Sequence, residues 1–149
     1  QPFLILLTVP IGLAGVVYAL LLHGEPLSFM SLLGVVAMTG VSVNNAIVLV
    51  DFINTKRNEG KNAVDACVEA AAVRIRPILT TSITTLLGLF PTAYGLGGKE
   101  PFVQPMALTL AWGLTLAMPM TTLVIPAAYV LLDDAKNWME KSLSRKKHQ

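Results

Sequence analysis

The chain has 149 residues, 54% hydrophobic and 13% charged, with a formal net charge of +2; water-soluble domains carry about 25% charged residues. Charge is absent from 1–24, 26–50, 77–98 and 101–132, each at least as long as the ~20 apolar residues a helix needs to cross a bilayer. With Cys67 as the single cysteine, this excludes a soluble globular enzyme, a disordered chain, a disulfide scaffold and a nucleic-acid-binding domain.

The pattern predicts an all-α polytopic membrane protein: four transmembrane helices and one short amphipathic surface helix. The first span covers about 3–22, with Pro10 inside it; membrane helices tolerate the hydrogen bond a proline removes. The second covers about 28–53, with Ser28 as its expected N-cap. Residues 54–76 are polar. Asn62 is an expected N-cap with Asp65 as an acidic capping-box partner, and Val64, Cys67/Val68, Ala71 and Ile75 recur at helical spacing, which predicts a surface helix over 62–75. Pro77 is then read as the opening residue of a third span, 77–94. A glycine-rich loop leads to the fourth span, 104–132, bent at Pro119 and Pro126. Residues 136–149 form a basic tail suited to an anionic leaflet. The start, Gln1-Pro2-Phe3, lacks a methionine and a charged leader, and is expected to continue from something longer.

Lysine and arginine set the orientation. Residues 54–76 hold five and the segment after 132 holds five, whereas the other two loops share Lys99 alone. The middle loop and the C-terminus are therefore expected on the cytoplasmic side.

Polar groups inside hydrocarbon are costly, and a functional site is their default reading. Asn44, Val48 and Asp51 share one face of the second span, with Gly40 one turn before; Thr81, Thr84/Thr85 and Gly88 share a face of the third. These faces could line a polar track across the bundle. The plainer alternative is helix packing by Asn and Thr hydrogen bonds, with Asp51 as an anchor paired to Lys56 or Arg76. Trp112 reads as packing and Trp138 as an interface anchor. There is no nucleophile–base pair, metal-ligand cluster or phosphate loop, so neither an enzyme nor a cofactor is expected, and Cys67 reads as a small buried apolar residue.

Gly40-Val-Ser-Val-Asn-Asn-Ala-Ile-Val-Leu-Val-Asp-Phe52 resembles the tenth transmembrane helix of the RND (resistance–nodulation–cell division) efflux transporters, in the hydrophobe/amphiphile multidrug branch. Arg74-Ile-Arg-Pro-Ile-Leu-Thr-Thr-Ser82 is similar to the start of the eleventh helix. Val9-Pro-Ile-Gly12 and Val124-Ile-Pro-Ala-Ala-Tyr129 resemble the ninth and twelfth. The resemblance covers residues 1 to about 135 and implies the last four helices of a proton antiporter of the bacterial inner membrane. Such pumps are trimers that work with a periplasmic adaptor and an outer-membrane channel. It also implies proton-relay roles for Asn44, Arg74 and Thr81, opposite carboxylates of a fourth helix absent from this sequence; Asn45 and Asp51 are further relay candidates from their own chemistry inside the second span. Asn44 stands where well-studied members carry lysine, so it can only hydrogen-bond. Without that helix, the polar faces of the second and third spans are expected to lack partners. The competing reading is a structural membrane subunit with no transport role.

Overall fold

The structure, a computed structural model, describes residues 2–146. It has four helices: α1 (Pro2–His23), α2 (Phe29–Asn58), α3 (Ala63–Ala93) and α4 (Val103–Lys146). The connections owe their tightness to glycine. Gly24 at φ +62° lets the Glu25 N–H reach back to the Leu20 carbonyl at 3.2 Å, and Gly60 at φ +88° follows α2; both are left-handed positions in which a side chain is strained. Ser28 caps α2 as expected, its hydroxyl accepting from the Ser31 N–H at 3.2 Å.

Three expectations are corrected at α3. The surface helix and the third span are one continuous helix of 31 residues, and Pro77 lies in its interior. The missing proline N–H deprives one carbonyl of a partner, which a packed membrane helix survives. Asn62 holds the N-cap position but its side chain makes no cap hydrogen bond. The buried stripe is also rotated from the one expected: Ala63, Ala66, Cys67 and Ala70 are buried, while Val64 and Val68 are exposed. Small residues face inward because α2 and α4 approach closely there. α4 runs on unbroken to Lys146, so residues 136–146 of the expected tail are helical; residues 147–149 lie outside the described residues. Among the described residues, α1, α2 and α4 (to Ser144) are apolar and long enough to cross a membrane. α3 is not, because five hydroxyls between Thr80 and Thr85 lower its hydropathy.

Residue pairs give the topology. Ser31–Thr109, Asn45–Met118, Asn54–Tyr129 and Arg57–Asp133 advance together, so α2 and α4 are parallel. Gly12 lies against Ala117 and Gly15 against Leu116 and the Trp112 carbonyl, so α1 runs antiparallel to α4. α3 does likewise: the Tyr94 hydroxyl at its end is 3.3 Å from Trp112 Nε1 near the start of α4. α2 and α4 form the central pair and α1 and α3 flank it. α1 and α3 approach only at one end, through His23 and Tyr94.

The two ends of the bundle differ. At one, His23, Phe90, Tyr94 and Trp112 cluster. The His23 Nδ1 lies 2.9 Å from the Ala19 carbonyl, which can only accept, so Nδ1 carries the proton and Nε2 faces the Tyr94 hydroxyl at 3.3 Å. Trp112 is thus a member of this end cluster as well as a packing residue. At the other end, Arg57 pairs with Asp133 at 2.7 Å, and Glu69 receives Lys56 at 3.3 Å and also Lys61. Those lysines, Lys61 first, hold the Glu69 carboxyl below its ordinary range. Beneath this end Cys67 is buried among Leu49, Ile53, Ala70 and Ile125, a small core residue as expected.

Candidate functional site

The helices of the central pair touch through small residues. A Cβ on Gly34 would fall 2.0 Å from Thr109 Oγ1 and 2.7 Å from the Met106 carbonyl. Met38, fully buried, fills the space left by Gly12 and Gly113, where a Cβ would sit 2.5 Å from its sulfur or 2.8 Å from its Cγ. Close approach through small residues is the main source of helix association where lipid removes the hydrophobic drive.

The polar candidates divide across this packing. Asn45 turns inward and donates to the Met118 sulfur at 3.1 Å. Asn44 and Asp51 are exposed on the outer face of α2, as their shared-face spacing requires. Neither side chain has a partner among the described residues. The expected Asp51 ion pair is absent, because Lys56 is held by Glu59 at 3.0 Å and by Glu69. Thr81 and Thr84 are exposed on α3, and their hydroxyls donate to their own helix, Thr81 to the Pro77 carbonyl at 2.9 Å and Thr84 to the Thr80 carbonyl at 2.8 Å. A Cβ on Gly40 or Gly88 would meet nothing within 4 Å. The candidates therefore do not line a track between α2 and α3 inside the bundle. On each helix they form an outward polar strip, with Gly40 and Gly88 in open space beside them.

Arg74 sits at the charged end of this strip. Its guanidinium lies 4.7 Å from the centre of the Phe52 ring, a cation–π contact across α2 and α3. Its Nε is buried without a partner, and so is the Thr121 hydroxyl on α4; a buried donor left unmade costs about 1–3 kcal/mol. Sequence reasoning missed Phe52 and Met118. Phe52 follows Asp51 in the second span, but its contact with Arg74, 22 residues on, depends on how α3 packs on α2. Nothing in the sequence marked Met118 as an acceptor for Asn45.

Outside the strip the surface is apolar. Within the apolar window of each of the three long apolar helices, only 33–39% is buried, and residues such as Leu6, Val17, Leu33, Val36 and Leu123 stand exposed. Water would not support so much apolar surface; lipid does. An apolar exterior, helices meeting through glycine and one outward polar strip define a segment of a larger polytopic membrane protein.

Residues 1–133 match the AcrB/AcrD/AcrF family, and the chain belongs to that family of RND efflux transporters. It is 35% identical over 134 residues to the multidrug resistance protein MdtC of Erwinia tasmaniensis, covering 89% of this chain and 13% of that protein. To the nickel and cobalt resistance protein CnrA of Cupriavidus metallidurans it is 37% identical over 123 residues, covering 83% and 11%. A crystal structure of a heavy metal efflux pump matches with a TM-score of 0.77 at 34% identity, covering 90% of this chain and 13% of that one. The chain thus spans roughly an eighth of the relatives it matches.

Proposed function

We propose that the chain is the C-terminal transmembrane portion of a proton-driven inner-membrane efflux pump that exports drugs or other amphiphilic solutes by proton antiport. On this reading α3 also crosses, as the third of four spans, the charged end faces the cytoplasm, and the rest of the pump supplies a trimer and contacts to a periplasmic adaptor and an outer-membrane channel. One observation carries the reading: Asn44, Asp51, Thr81 and Thr84 face outward, two of them without a partner, beside glycines with open space around them. A hydrocarbon-facing asparagine is unfavourable, so the strip needs a polar helix against it.

Asparagine cannot change protonation near neutral pH. Asn44 therefore orients a carboxylate on the missing helix by hydrogen bonding, and the proton travels on that carboxylate. Thr81 can rotate its hydroxyl away from the Pro77 carbonyl to order water beside the same group. Arg74, fixed on Phe52, supplies a permanent positive charge that favours the ionised carboxylate. Asn45, held on Met118, positions α2 against α4 and does not itself meet the proton.

Relatives of similar identity include both a drug-resistance and a metal-resistance protein. That supports assigning energy coupling, rather than cargo choice, to these helices. The test is Asn44→Ala in the full-length pump reconstituted in vesicles with an imposed proton gradient. Loss of gradient-driven efflux is expected; unchanged coupled efflux refutes the role of Asn44.

A further inference from the structure

α4 is 44 residues long, which at ~1.5 Å per residue is ~66 Å, about twice the ~30 Å hydrocarbon core. Its last turns must leave the hydrocarbon, and the Arg57–Asp133 pair at 2.7 Å marks where. Beyond that point the helix keeps an apolar stripe. At 100° per residue, Leu131, Ala135, Trp138, Met139 and Leu143 fall on one side, and Glu140 and Asn137 on the other. Trp138 is 71% exposed, Met139 55% and Leu143 66%. Asn137 lines a polar recess with Arg57, Asn62 and Asp65 at the α2–α3 turn, so the polar side faces this chain and the stripe points away from it. Lys136 and Lys141 border the stripe on its two flanks. Within residues 131–144 Lys136 and Lys141 stand with Asp133, Asp134 and Glu140, of which Asp133 is paired to Arg57; Arg145, Lys146 and Lys147 follow directly in the sequence.

We propose that residues 131–144 dock, stripe inward, on an anionic lipid-headgroup surface beside the point where α4 leaves the membrane. A tryptophan-bearing stripe flanked by lysines matches that surface: the apolar side enters the headgroup boundary, and the lysines extend to lipid phosphates. A protein groove would need acidic walls to meet the same lysines. The inference rests on the reading that α4 crosses a membrane and on nothing in the proton pathway, so the two can fail separately.

The test uses the full-length transporter in nanodiscs, in a Cys67→Ala background without other reactive cysteines. A fluorophore is attached at Met139→Cys, Leu143→Cys or Asn137→Cys, with quenchers carried on lipid or dissolved in water. In discs containing phosphatidylglycerol, the lipid quencher is expected to reach positions 139 and 143 but not 137. Each of Lys136→Gln and Lys141→Gln is expected to lower the docked-to-free ratio about fivefold, the effect of one lysine near an anionic leaflet. Two results overturn the proposal. One is equal aqueous quenching at all three positions in every lipid, which marks a free rod. The other is protection that persists in neutral discs and in both lysine variants with cross-links between copies at 139, which marks a protein interface. Efflux retained in the lysine variants would separate failure of docking from failure of the pump reading.

Discussion

Gly34 and Gly40 lie less than two turns apart on α2 and have opposite surroundings. Gly34 is pressed against Thr109 and the Met106 carbonyl of α4, whereas Gly40 has nothing within 4 Å of where its Cβ would be. The same contrast holds for Asn45, bonded to Met118, and Asn44, which has no partner among the described residues. One face of α2 is completed by this chain. The other carries the same materials, small residues and amides, and stands open. A glycine or asparagine in a membrane helix therefore marks a seam, and only the fold tells which seam is already closed.

The sharpest way to break this contrast is through Met38, which fills the inner seam. Met38→Ala should cost about 2 kcal/mol, the low end for a buried methionine in water, because the separated helices would rest in lipid of similar polarity. Reversible unfolding of the full-length protein in mixed micelles would measure it, and a cost near zero would mean the seam is loose. Gly34→Ala should cost about 1–3 kcal/mol by forcing α2 and α4 apart, read in the same assay. Gly40→Leu separates the two seams directly. In the 149-residue chain it should shift stability by less than ~0.5 kcal/mol, and in the full-length protein by about 1–3 kcal/mol. Equal small effects in both would show that no helix covers the strip.

Smaller effects are expected at the charged end. Arg57 and Asp133 keep 32% and 20% side-chain exposure, so a double-mutant cycle should give a coupling below ~1 kcal/mol. Glu69 and its partner Lys61 are more exposed still, at 36% and 38%. The Glu69 carboxyl is held below the ordinary range, so its support is complete above the ordinary carboxylate pKa and disappears as pH falls through the lowered one. Hydrogen exchange in the α2–α3 turn, taken relative to the intrinsic amide rate at each pH, should be flat across neutral pH and accelerate only in acid below the ordinary carboxylate range. Acceleration already near neutrality would show that the lysine contacts do not hold Glu69.

Much of this could be read from the residues alone. The charge-free runs specify long apolar helices because hydrocarbon cannot satisfy backbone polar groups any other way. Their lysine-poor and lysine-rich connections alternate, as the aromatic and charged ends of the bundle do. The face shared by Asn44 and Asp51, the Ser28 cap and the buried Cys67 follow from spacing and local chemistry. Other features depended on partners distant in sequence. Whether Pro77 begins a helix or sits within one turned on whether packing against α4 compensates the lost hydrogen bond. Whether Ala66 or Val64 faces inward turned on how closely α2 approaches. Asn45 and Asn44 are adjacent and chemically identical; Met118, 73 residues away in sequence, separates their roles. Periodicity defines a helix and its faces, but it carries no record of which face another helix will cover.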